Sequence, residues 1–202
     1  MGKTELTTRD NWQTSSGGLA EQAECNFYDI FENLFINTEF KLYRQPKHLK
    51  RLYSDVKLSE TTLAKIYTPD INLEKQNWGV KPDFAIENTQ SHKIIFGEIK
   101  RQDGWVEGKT PEAGRGNAHE RLCKLFSPGL LKAYREKSRI YDSDFLPFWV
   151  VFEGDITRDP KRVREITFWF DKFDKNYFFW RNTYISEEII AHFEQYIKPR
   201  LM

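Results

Sequence analysis

The strongest chemical signal in the chain comes from two acidic residues and a lysine: Asp83, Glu98 and Lys100. Asp83 follows Pro82, and fourteen residues separate it from Glu98-Ile99-Lys100. The flanking segments, near Pro82 to Glu87 and Lys93 to Lys100, read as β-strands, and Asn88-Thr89-Gln90-Ser91 between them is a run of turn formers. A symmetric antiparallel hairpin centred between Gln90 and Ser91 pairs residues whose numbers sum to 181. Asp83 then stands opposite Glu98, with Cβ atoms about 4.5–5.5 Å apart. Period-two alternation puts Lys100 on the same face, one step along. Carboxylates that close repel, so either one keeps a proton or both share a cation. Oxygen ligands of this kind suit a hard ion such as Mg2+, which binds through one or two carboxylates and fills its shell with water and substrate phosphate. The same residues also admit a plainer reading. Glu98 and Lys100 can be solvent-side charges of an edge strand, and Asp83 a turn residue after proline.

A second segment follows a glycine-rich stretch over 102–116. Gly116-Asn117-Ala118-His119-Glu120-Arg121 opens a predicted helix, with Asn117 at the N-cap and Glu120 three residues later, the pattern of a capping box. Capping is a sufficient explanation of these residues, but it does not compete with a second one. A helix N-terminus offers free N–H groups and a dipole that favour phosphate. Asn pairs bidentately with the N6 and N7 edge of adenine, and Arg with purine acceptors.

Taken together, Pro82-Asp83 with Glu98-Ile99-Lys100 resembles the signature of the PD-(D/E)xK nucleases. The Gly-Asn-Ala-x-Glu-Arg segment resembles the DNA-reading segment of their EcoRI-like branch, the type II restriction endonucleases that share an AATT core. The resemblance spans about Pro82 to Lys124. It implies a Mg2+-dependent endonuclease acting on double-stranded DNA, with Asp83, Glu98 and the Ile99 carbonyl on the metal and Lys100 catalytic. Arg115, Gly116, Asn117, Ala118 and Arg121 would line the DNA, and Glu120 would orient the arginines and couple reading to cutting. Within that branch the likeness is strongest to the member that cuts CAATTG, which makes Arg115 the reader of the outer guanine. His119 falls at the variable position and receives no role. Products would carry 5′-phosphates and four-nucleotide 5′ overhangs. A palindromic site implies a two-fold homodimer. A companion methyltransferase would act on the same site without needing to bind the enzyme. Two other readings keep the fold: a structure-specific, resolvase-like nuclease indifferent to the AATT core, and a DNA-binding module without catalysis.

These residues need a rigid frame. Phe27, Ile30, Phe31, Leu34 and Phe35 recur at helical spacing, predicting a helix from about Leu19 to Asn37. Phe40 to Arg44 reads as a short strand and Glu60 to Tyr67 as a short helix. A helix from Asn117 is expected to break near Pro128 and resume to about Lys137. Pro147 to Glu153 and Glu165 to Phe170 are apolar enough to read as buried strands, and Ser186 to Ile197 as a closing helix. The expected architecture is α/β, a mixed central β-sheet flanked by helices, folded as one domain over 1–202. The catalytic hairpin would occupy 82–100 and the recognition loop and helix 101–127.

Composition narrows the partners. With 31 Lys+Arg against 30 Asp+Glu, the chain cannot coat nucleic acid by bulk charge. Its basic residues nevertheless bunch at 41–51 and 158–164, as either backbone-contact surfaces or ordinary solvated faces. Aromatics at 15% exclude a disordered chain. No apolar run reaches the ~20 residues of a membrane helix, and the first residues hold no apolar signal core. Cys25 and Cys123 suit a reducing compartment, so a cytoplasmic location is expected.

Overall fold

The computed structural model describes residues 24–46, 54–66, 77–101, 120–181 and 185–202. A helix over 24–34 (α1) leads into β1 (Phe40–Arg44). A two-stranded antiparallel ribbon of β2 (Ser54–Asp55) and β3 (Asn77–Trp78) lies beside a one-turn α2 (Glu60–Leu63) in chain order. The hairpin strands β4 (Phe84–Asn88) and β5 (Ile94–Arg101) follow. A 3-10 helix (Glu120–Phe126) runs into α3 (Pro128–Ser138), and then come β6 (Phe148–Glu153), α4 (Pro160–Phe170) and β7 (Tyr177–Trp180). The chain ends in α5 (Ser186–His192), which passes through a π-helical turn (Phe193–Ile197) into α6 (Lys198–Leu201).

The main sheet has five strands in the order β1-β4-β5-β6-β7. It changes character at β5, which pairs antiparallel with β4 and parallel with β6. Alternation along the strands divides the core into two layers. Phe84, Ile86, Ile95, Ile99, Trp149 and Val151 face α1 and the C-terminal helices, against Phe27, Phe31, Ile189 and Phe193. Ala85, Phe96, Phe148, Val150 and Phe152 face the 3-10 helix, α3 and α4, against Leu122, Leu125, Tyr134, Ile166 and Phe170. This is the mixed sheet with helices on both faces that the sequence predicts.

The hairpin register is also as expected, since Phe84 pairs with Gly97 and Ala85 with Phe96. Glycine is required at 97. A Cβ built there would lie 1.9 Å from the Phe84 ring, which turns across the neighbouring backbone to reach the α1 layer.

One element differs from its sequence reading. The run Glu165 to Phe170 is not a strand but the second half of α4. Its Ile, Thr, Phe and Trp residues favour strands, yet the helix start overrides them. Asp159 accepts the Lys161 and Arg162 N–H groups, Pro160 sits in the first turn, and Arg162, Ile166 and Phe170 bury one stripe at four-residue spacing. Phe168, off that stripe, is 82% exposed. The fifth strand, β7, comes from Tyr177–Trp180, a segment the sequence reading left unassigned. The helix expected from Asn117 is 3-10 in its described part, and Pro128 starts α3 at the predicted break.

Candidate active site

β5 carries the site. Ile94 and Phe96 bury toward α3, and Glu98 and Lys100 continue that face to the end of the strand, where the sheet meets solvent. Asp83 precedes β4 and is fixed at both ends of its peptide. Its N–H donates to the Gly97 carbonyl at 2.9 Å, and its own carbonyl accepts the Gln45 N–H at 2.8 Å. The Tyr28 hydroxyl, from α1, donates to the same carbonyl at 2.8 Å.

The three side chains meet. Lys100 Nζ lies 2.8 Å from Asp83 Oδ2 and 2.7 Å from Glu98 Oε2, and donates to the Ile99 carbonyl at 3.1 Å. Asp83 Oδ2 also accepts the Ile99 N–H at 2.9 Å, which ties the carboxylate back to β5. One cation thus sits among three oxygens contributed by Asp83, Glu98 and Ile99. The ammonium stands where a metal ion bound by the same oxygens would be. With both carboxyls ionised the trio carries one net negative charge.

Glu98 is the most constrained member. Its side chain is 7% exposed, and Oε1 is buried with no hydrogen-bond partner among the described residues. Burial pushes its carboxyl up. The Lys100 ammonium pulls it back, Asp83 adds to the rise, and Lys124 on the 3-10 helix lowers it slightly. Burial alone would lower Lys100, but Glu98 and Asp83 outweigh it and hold the ammonium above the ordinary lysine range. Beneath them Tyr134 packs its ring against Phe96 and Phe148, and burial together with the two carboxylates keeps its phenol protonated. A buried carboxylate oxygen left without a donor, beside a hard oxygen set already gathered round a cation, fits a divalent metal.

The DNA-reading candidates divide by position. Arg115, Gly116, Asn117 and Ala118 lie outside the described residues, as do His119 and Trp105. Glu120 and Arg121 open the 3-10 helix, which Leu122 and Leu125 anchor on the Phe96 side of the sheet. Of the basic run at 41–51, Lys41 is exposed, while Arg44 pairs with Glu32 at 3.1 Å and Asp29 at 3.7 Å; residues 47–50 and 51 lie outside the described set. In the run at 158–164 Arg162 is buried between Asp159 and Glu165 as part of the α4 scaffold, whereas Arg158, Lys161 and Arg164 are exposed. Sequence reading passed over Tyr28. Its only local signal was a hydroxyl at the margin of an otherwise apolar helical stripe.

Comparison with known proteins agrees with this geometry over the whole chain. A family model described as type II restriction enzyme MunI matches residues 1–202. A type II restriction enzyme MunI from Mycoplasma sp is 60% identical over 201 residues, covering 100% of both chains. A crystal structure of MunI restriction endonuclease in complex with cognate DNA superposes with a TM-score of 0.78 at 59% identity, covering 95% of this chain and 98% of that one. The chain carrying Asp83, Glu98 and Lys100 at the end of its hairpin therefore belongs to the MunI family of type II restriction enzymes, which are site-specific endonucleases.

Proposed function

We propose that the protein is a Mg2+-dependent homodimeric restriction endonuclease that hydrolyses both strands of double-stranded DNA at CAATTG, a palindrome with an AATT core. It leaves 5′-phosphates and four-nucleotide 5′ overhangs. The observation that carries this reading is the single ammonium shared by Glu98 at 2.7 Å and Asp83 at 2.8 Å, a cation site built from hard oxygens at the solvent end of a buried strand. The family, and a relative crystallised with its cognate DNA, support the sequence-specific form of the activity.

Asp83 and Glu98 hold the metal through their carboxylates, with the Ile99 carbonyl as a third oxygen. Held there, Mg2+ would supply polarisation of the scissile phosphate and stabilisation of the leaving 3′-oxygen. Released from the two carboxylates, the Lys100 ammonium turns to the attacking water and the phosphate. As an ammonium it cannot take the water's proton, which leaves to solvent; it orients the water and offsets charge developing on the phosphate. Asn117, Ala118 and Arg121 contact the inner bases, Gly116 belongs to the same DNA-binding segment, and Arg115 reads the outer guanine. Glu120 orients the arginines and couples reading to cutting. A palindrome calls for two copies related by a two-fold axis, each cutting one strand. The chain acts as one domain over 1–202 in the cytoplasm, where a methyltransferase specific for the same site protects host DNA.

The test is digestion of a long linear DNA of known sequence, with Mg2+ and with EDTA, followed by sequencing of the fragment ends. Discrete Mg2+-dependent fragments ending at CAATTG are expected. Ends at another sequence would keep the chemistry and discard the assigned reading segment. DNA left intact under both conditions, with a branched duplex cut instead, would overturn the site-specific reading.

A further inference from the structure

We propose that Tyr28 is a positioning residue for the metal-binding carboxylate: its hydroxyl, held 2.8 Å from the Asp83 carbonyl, sets the direction in which the Asp83 side chain points. The proposal rests on Asp83 being a metal ligand, and the test below separates the two.

Asp83 lies just outside β4, so no strand pairing on its β1 side is guaranteed by the ladder. Its peptide is held by three bonds: its N–H to Gly97, the Gln45 N–H to its carbonyl, and the Tyr28 hydroxyl to that same carbonyl. Only the last comes from outside the sheet. It enters from the α1 layer, on the face opposite Glu98 and Lys100. The rotation of the Asp83 peptide about the strand axis is therefore fixed from both faces, by Tyr28 on one and by the Asp83 carboxylate on Ile99 and Lys100 on the other.

The donor is itself immobilised. Tyr28 is 3% exposed, its ring packs edge-on against Phe27 at 5.9 Å, and the Arg44 guanidinium covers the other face at 4.3 Å. Arg44 is in turn held by Glu32 and Asp29 of α1. A helix, a stacked guanidinium and a phenol thus converge on one backbone oxygen next to a metal ligand. The Gln45 N–H already pairs with the carbonyl, so the hydroxyl adds a second bond to that oxygen and constrains its direction further.

That redundancy makes Tyr28→Phe a clean variant. It removes one hydrogen bond, leaves the carbonyl paired and creates no cavity. Tyr28→Phe and Asp83→Asn are compared with the parent dimer in three measurements. These are single-turnover cleavage of a CAATTG duplex over a Mg2+ titration, affinity for that duplex in Ca2+, and Mn2+ binding to the complex with a non-cleavable duplex, read by electron paramagnetic resonance. Tyr28→Phe is expected to raise the half-saturating Mg2+ and the Mn2+ dissociation constant about tenfold, the usual range for loss of a group that orients a ligand. The rate should recover at high Mg2+, with DNA affinity within about twofold of the parent, since no DNA contact is lost. Parent-like Mg2+ and Mn2+ dependence in Tyr28→Phe, with Asp83→Asn inactive, would overturn the proposal alone. An active Asp83→Asn would overturn the site assignment beneath it. Arg44→Met, which removes the stacked guanidinium and leaves the hydroxyl, supplies the second reading: a smaller shift of both metal constants is expected, and none would count against the network.

Discussion

Two triads in the molecule have the same formal makeup, two carboxylates round one basic side chain, and their surroundings make them opposites. In α4, Arg162 Nη1 meets Glu165 at 2.6 Å and its Nε lies 3.7 Å from Asp159, all within two turns of one helix. Asp159 doubles as the N-cap, accepting the Lys161 and Arg162 N–H groups. At the hairpin, Asp83, Glu98 and Lys100 come from two strands. The cation is a single ammonium at the end of a flexible stem, and one oxygen of Glu98 has no donor among the described residues. The α4 triad lies on one helix, where Asp159 caps the first turn and the guanidinium bridges both carboxylates, so it braces the helix start. The hairpin triad gathers hard oxygens from two strands round a replaceable cation at the solvent end of the sheet, which is the arrangement a metal ion requires. What separates the two is the cation and its place: a guanidinium held within its own helix in one, a replaceable ammonium at the solvent end of a strand in the other.

The contrast can be broken most sharply at Glu98. Glu98→Ala should cost several kcal/mol of transition-state stabilisation, about three orders of magnitude or more in single-turnover cleavage. The far-ultraviolet circular dichroism and thermal midpoint should stay near those of the parent, because the carboxyl removed is one that burial disfavours. Asp159→Ala should do the reverse. It removes a cap and one of the carboxylates facing a buried guanidinium, so urea denaturation should show a loss of about 3 kcal/mol, with cleavage per folded molecule unchanged. A stable but inactive Asp159→Ala would erase the distinction.

A third prediction concerns the layer behind the sheet, where a titratable group is held neutral. His192 lies between Trp149, stacked at 5.7 Å, and Phe178 at 4.9 Å, with Nε2 facing the Lys175 carbonyl at 3.1 Å. Burial pulls its pKa down from 6.5 to about 4, only partly offset by that carbonyl and by Asp174. The unfolded chain therefore binds a proton that the folded one refuses. The stabilisation is complete above pH 6.5 and is lost as pH falls toward 4, by roughly 2–3 kcal/mol. Denaturant melts from pH 7 to pH 4 should show that slope in the parent and a flatter one in His192→Gln. Equal slopes would place the acid sensitivity elsewhere. The smallest effect is expected outside the triads, at the reading segment. Arg115→Ala should weaken cognate binding by about 1–3 kcal/mol if it pairs bidentately with guanine. A uniform loss across all duplexes, with a shallower salt dependence, would make it a phosphate contact instead.

The hairpin was legible in the sequence because its information is local. Turn residues at 88–91 and alternation on both sides leave one register that buries Ile86 and Phe96, and the meeting of Asp83 with Glu98 follows from it. The α4 segment was misread because strand propensity and helical period compete over six residues. The deciding signals, Asp159 and Pro160, stand upstream of the apolar run. β7 is four consecutive residues, three of them partly buried, with no period to separate edge strand from loop. Tyr28 was invisible for a different reason: the contact that matters joins residues 55 apart and ends on a backbone atom, which no side-chain pattern encodes.

The switch of β5 from an antiparallel to a parallel neighbour also orders events in time. Its pairing with β4 closes across a short turn, but Phe96 must wait for Phe148, and β6 in turn for Tyr177–Trp180. Local closure is fast and long-range parallel pairing slow. During synthesis, therefore, the two carboxylates and the lysine come together on a hairpin whose outer edge is still bare. That edge carries Ile94, Ile95 and Phe96 and stays open to aggregation until the ribosome has delivered Phe148–Glu153. The strands that bear Asp83, Glu98 and Lys100 can pair before the strands that wall them are made, so a rigid arrangement of the three requires the last third of the chain.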